Sequence, residues 1–137
     1  MTKSNIHKLQ RIQNTLARVI LSLGKFEHIT PALIQFHSLP VEHRLTYKLA
    51  TLTFKTVQTG QPIYLRELLD DYEPVRTLRS STRCEHKTKL VISKRAFRHS
   101  AAVVWNNLPD NIRDPHLTID CFKSRLKTYL FNLAFSA

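Results

Sequence analysis

The sequence predicts a mainly α fold, with about six helices around a central helix at about 40–59 and a minor strand or hairpin near 88–93. Two observations carry this. Apolar residues recur at i, i+3 and i+4 along several long stretches, the spacing of one helix face. Glycine is scarce, at two residues in 137, which argues against a turn-rich β-sandwich and against a glycine-rich phosphate loop.

The central helix is the stretch Leu39–Thr59. Pro40 suits the first turn, where its missing N–H is no loss, and Gly60 followed by Pro62 suits the end. Val41, Leu45, Leu49 and Leu52 fall on one apolar line, and Tyr47, Ala50, Phe54 and Val57 on a second. Arg44, Lys48, Thr51 and Lys55 mark the narrow polar side. A helix apolar on two sides is expected between neighbours, with Leu49 nearly buried.

The other elements follow in order. Residues 4–23 read as an amphipathic helix capped by Ser4 and stopped by Gly24, with Ile6, Leu9, Ile12, Leu16, Val19, Ile20 and Leu23 on its apolar face. His7, Arg11, Asn14 and Arg18 occupy the opposite face, with Lys8 beside them. Thr30 is expected to cap a short helix opened by Pro31, with Leu33, Ile34 and Phe36 apolar. A second short helix spans Ile63–Leu69. The hydroxyls and arginines of 75–87 read as an exposed loop, and 88–93 alternates weakly around Leu90 and Ile92. Lys94–Asn107 returns to helix, with Trp105 expected inside. Pro109 and Pro115 bracket a turn, and Thr118 caps the last helix, with Ile119, Phe122, Leu126, Tyr129, Leu130 and Leu133 inward. Tyr47 and Tyr64 are expected in the core. The whole reads as a single, fragment-like domain of 1–137, with an alternative sub-boundary near 75 that separates 1–74 from 75–137.

The charge narrows the choice of partners. Lysine and arginine number 21 against ten acids, a net charge of +11, which attracts polyanions. Residues 1–25 hold Lys3, Lys8, Arg11, Arg18 and Lys25 with no acid. A second basic block spans 76–100, and an acidic patch of Glu67, Asp70, Asp71 and Glu73 lies between the two. No apolar run approaches the roughly 20 residues of a spanning helix, so no membrane partner is expected. Cationic and polar residues interrupt any signal-peptide core at the N-terminus. Two cysteines, Cys84 and Cys121, do not make a secreted disulfide framework. The expected location is intracellular, nuclear or cytoplasmic.

Candidate chemistry is sparse. Asp70-Asp71 is the only adjacent carboxylate pair, and it reads as a solvated helix end because no third acid stands at metal-binding spacing. Cys84 and His86 lack the further close ligands of a zinc knuckle. Ser80 and Ser81 have no nucleophile elbow around them. Phe97, Trp105, Phe122, Tyr129 and Phe131 repeat with aliphatics at helical spacing, which reads as core and not as base-stacking surface. No cofactor is expected. Arg76, Arg79 and Arg83, set among Ser80, Ser81 and Thr82, have the forks and hydroxyls that match phosphate oxygens.

A series of short motifs adds a family. Gln10-Arg11-Ile12-Gln13-Asn14-x-x-Ala17-Arg18, His28-Ile29-Thr30-Pro31, Leu39-Pro40-Val41-x-x-Arg44-x-x-Tyr47-Lys48 and Tyr64-Leu65-x-x-Leu68-Leu69 are followed by Arg76-x-Leu78-Arg79-Ser80-Ser81. Trp105-Asn106-x-Leu108-Pro109-x-x-Ile112-Arg113 and Phe122-Lys123-x-x-Leu126-Lys127-x-x-Leu130-Phe131 complete the series. In this order they resemble the C-terminal segment of LINE-type, non-LTR retrotransposon reverse transcriptases of the jockey and chicken-repeat kind, over nearly the whole chain. The resemblance implies a segment that includes thumb-like helices and the element's C-terminal tail, with thumb-like helices in 1–74 and the basic loop, strand and C-terminal helices in 75–137. The family's Phe/Tyr-x-Asp-Asp hairpin and upstream aspartate are missing, so the chain is not expected to be an enzyme by itself. The function it implies is non-catalytic contact with the backbone of RNA or an RNA–DNA duplex, with low sequence specificity. The residues expected to carry that contact are Lys8, Arg11, Asn14, Arg18, Arg44, Lys48, Arg76, Arg79 and Arg83. The alternatives are a docking module that packs on a polymerase domain outside this chain, or a decayed, non-functional copy. Cations gathered on one face would favour nucleic acid; a bare apolar face would favour docking.

Overall fold

The computed structural model describes residues 2–69 and 97–136. Six helices lie among them: α1 (Lys3–Ile20), α2 (Thr30–Gln35), α3 (Val41–Thr59), α4 (Ile63–Arg66), α5 (Phe97–Asn106) and α6 (Ile119–Phe135). The fold is mainly α, without a strand among the described residues, and α3 is the central helix that contacts several others. The strand expected at 88–93, the basic loop at 75–87 and the Asp70-Asp71 pair lie outside the described residues.

The chain forms two compact units, Met1–Tyr47 with Leu126–Ala137, and Lys48–Arg125. α3 and α6 contribute residues to both. In the first unit α1 and α2 end without glycine. Ser22 takes a left-handed φ of 52°, its N–H donates to the Val19 carbonyl, and the Leu23 N–H donates to the Arg18 carbonyl at 2.9 Å. His37 repeats the arrangement after α2, with φ 46° and a Ser38 N–H to Leu33 carbonyl bond of 2.9 Å. Both are Schellman closures, which satisfy the last carbonyls of a helix. α1 therefore stops before Gly24, whose N–H instead donates to the Glu27 carboxylate. The N-caps differ from expectation too: Thr2 precedes α1 and Ile29 precedes α2, neither with a side-chain cap bond. The core of this unit holds Ala17, Ala32, Leu33, Leu39, Val41, Leu126 and Leu130. Ile34 and Phe36 are exposed, and so is Leu133, near the end of α6.

The second unit is organised by three rings. Phe54 stacks on Phe122 at 4.1 Å, and Trp105 lies 6.3 and 6.2 Å from them. Trp105 is 3% exposed, as its place in the sequence pattern predicts. Small buried residues, Ala50, Ala101 and Ala102, leave room for these rings. The buried line of α3 here is Ala50, Thr53, Phe54 and Thr56, not the leucines: Leu49 is half-buried and Leu52 exposed. Thr53 and Thr56 tolerate burial because each hydroxyl donates to the carbonyl four residues earlier, Leu49 and Leu52, at 2.9 Å.

The motif Trp105–Arg113 is a buried corner. Trp105, Leu108 and Ile112 are in the core, and the Arg113 guanidinium, also buried, pairs with Asp110. Arg125 donates to the Asn111 carbonyl at 3.0 Å, which ties this corner to α6, and Gln58 of α3 donates to the Leu117 carbonyl just beyond it at 2.7 Å. Thr118 caps α6 as expected, its Oγ1 accepting from the Cys121 N–H. α4 is shorter than expected and buries Leu65, with Leu69 buried just beyond it, while Tyr64 stands exposed because its helix offers only one side to the core.

Gly60 ends α3 with φ +67° and open space around its Cα. Gly60→Ala should lower stability by about 1–2 kcal/mol, because a side chain in the left-handed region carries that penalty. Urea unfolding of the two proteins side by side measures it.

Candidate contact surface on helix α1

α1 has a clear apolar stripe, yet it packs through a different edge. Gln10 accepts a hydrogen bond from the Val41 N–H at 2.8 Å. Val41 opens α3, so this N–H is one that no intrahelical carbonyl can satisfy. Gln10 Nε2 donates to the Asn14 side chain at 2.9 Å. Gln13 Nε2 donates to both Ser38 Oγ and the Leu39 carbonyl at 2.9 Å. Ala17 is buried beside them, and Arg18 Nη2 donates to the Glu27 carbonyl at 3.1 Å. The inner edge is thus two amides, an asparagine, an alanine and an arginine. Among its partners are the Leu39 carbonyl and the Val41 N–H where α2 leads into α3, and the Glu27 carbonyl before α2, backbone groups that a leucine could not satisfy.

The stripe sits roughly a third of a turn away. Ile12 is 56% exposed, Leu16 58%, Val19 71% and Ile20 67%. Much of the apolar face expected of this amphipathic helix is therefore bare. Phe26, just beyond the helix, is 94% exposed, with the Lys25 ammonium 5.9 Å from its ring centre. An open groove of 420 Å³ runs along the outer face, lined by Lys8, Arg11, Ile12, Thr15 and Leu16.

The residues expected to contact nucleic acid divide accordingly. Lys8 and Arg11 are exposed and meet in the groove. Asn14 and Arg18 are half-buried and engaged inside the protein. Arg44 is exposed in the same unit, and Lys48 is exposed in the other. Arg76, Arg79 and Arg83 lie outside the described residues. Gln10 and Gln13, quoted above only as part of a motif, are the residues whose hydrogen bonds hold α1. Their signal is that 10, 13 and 17 repeat at helical spacing as uncharged residues, a line that α1 can bury. Among the described residues no group of three or more His, Cys, Asp or Glu could hold a metal ion, and no helix is long and apolar enough to cross a membrane.

Comparison with family models, curated proteins and solved structures gives no match.

Proposed function

We propose that this chain is a non-catalytic docking module, the alternative to the nucleic-acid contact that its resemblance to retrotransposon reverse-transcriptase C-terminal segments implies, with α1 as the contact helix. The observation that supports this is the bare stripe Ile12, Leu16, Val19 and Ile20 on a helix already fixed by its other edge. Single exposed apolar residues are ordinary, but a continuous stripe on one helix marks an interaction surface. The partner we propose is a polymerase domain. A purified jockey-type polymerase core lacking its own C-terminal segment, titrated with the labelled chain, should bind it. Ile12→Ser with Leu16→Ser should weaken that binding by tenfold or more, about 1.4 kcal/mol. Absence of binding by the parent chain would overturn the reading.

Contact with a nucleic-acid backbone is the second reading, and the exposed Lys8, Arg11 and Arg44 on a chain of net charge +11 favour it. Here affinity for duplex RNA should fall steeply with salt, by a slope of roughly −0.9 in log affinity per phosphate neutralised on a B-DNA-like duplex. Replacing Arg76, Arg79 and Arg83 with glutamine should flatten that slope by about two to three units. Filter binding across a salt series measures this, and an unchanged slope would remove the loop from the account.

A further inference from the structure

We propose that the outer face of α1 receives an amphipathic helix whose apolar ridge is bordered by aspartate or glutamate. This rests on the docking reading and names the chemistry of the partner's surface. The groove lies between two rows of residues four apart. Lys8, Ile12 and Leu16 form one row and Arg11 and Thr15 the other. Grooves between such rows are what the ridge of a second helix packs into. Thr15 keeps the second row low, and its hydroxyl is engaged with the Arg11 carbonyl at 2.9 Å, so it asks nothing polar of a partner. The groove runs from Lys8 to Leu16, about 12 Å along α1.

The charge selects the border. Lys8 and Arg11 stand at one end of the groove, and residues 1–26 contain no acid to answer them. A partner with carboxylates flanking its ridge meets both cations, whereas one with lysines there is repelled. A second copy of this chain is disfavoured for the same reason, since it would bring its own acid-free segment against the first. A phosphate backbone finds only two cations here, beside an apolar wall of Ile12 and Leu16.

Two labelled helical peptides of about 18 residues, with the same leucine ridge and either glutamate or lysine borders, make the probe. Fluorescence anisotropy at low salt should show the glutamate peptide binding the whole chain at least about tenfold more tightly than the lysine peptide. Lys8→Glu with Arg11→Glu should reverse that order, and Ile12→Ser with Leu16→Ser should weaken both peptides. All four residues are exposed, and circular dichroism checks that the variants keep their helices. Equal binding of the two peptides, unaltered by the charge reversal, would overturn the acidic border while leaving docking in place. Binding of neither peptide would overturn the inference of a helical occupant; the polymerase titration separately decides the docking reading. Sedimentation of the chain alone covers the remaining case: a dimer that Ile12→Ser with Leu16→Ser dissociates would make the occupant a second copy and overturn the proposal.

Discussion

Trp105→Ala should destabilise the protein by about 3–5 kcal/mol, the range for a buried aromatic truncated to alanine. Phe122→Ala should do the same. The two belong to one cluster with Phe54, and each ring contacts the others at 4.1 to 6.3 Å. The small residues around them, Ala50, Ala101 and Ala102, have no side-chain length with which to fill the void. A loss of this size is a large share of the 5–15 kcal/mol that holds a typical domain together. The double variant should lose less than the sum of the singles, because the second truncation removes contacts that the first has already broken. Guanidinium unfolding followed by circular dichroism gives the three values without relying on the tryptophan signal. Single variants that unfold with the parent would show that the cluster is not the core of its unit.

Gln10→Ala combined with Gln13→Ala should destabilise by roughly 2–4 kcal/mol. The pair supplies the acceptor for the Val41 N–H and two donors, to Ser38 Oγ and the Leu39 carbonyl. Leu39 and Val41 are buried, so their backbone groups have little water to replace these bonds. A buried group left without a partner costs about 1–3 kcal/mol, more than the net worth of an ordinary hydrogen bond. The amides also set which edge of α1 faces inward. Their loss should therefore weaken the attachment of α1 more than it weakens the aromatic cluster, and hydrogen exchange should show amides of residues 3–20 losing protection first.

Much of the fold was legible because the signals were local. Gly60 ends α3, Thr118 caps α6 and Trp105 is buried, each for a reason carried by a few neighbouring residues. The ends of α1 and α2 were less so. Ser22 and His37 adopt left-handed backbone in which glycine or asparagine is usual, and the nearby Gly24 drew the expected end of α1 to residue 23, past its end at Ile20. Periodicity says which residues of a helix share a face, but not which face finds a partner. On α3 the second expected line does supply the buried Ala50 and Phe54, but Thr53 and Thr56, not Leu49 and Leu52 of the first line, take the other buried positions. On α1 the amides decided the orientation, because buried backbone groups need hydrogen bonds more than the stripe needs cover. Tyr64 and Leu133 failed as core residues for a simpler reason: one sits on a helix of a single turn and the other near a helix end. Of the proposed contact residues, Lys8 and Arg11 were legible as exposed cations, while Asn14 and Arg18 were taken up by the packing of α1.

α1 is held by its polar edge and leaves its apolar stripe exposed. Chemical unfolding of Ile12→Ser with Leu16→Ser and Val19→Ser, beside Gln10→Ala with Gln13→Ala, tests this most directly. The triple serine variant should unfold within about 1 kcal/mol of the parent, since more than half of each side chain already meets water. The double alanine variant should lose roughly 2–4 kcal/mol. The reverse result, with the serines costing about 2–5 kcal/mol each as core truncations do and the alanines little, would place the stripe in the core and contradict the account.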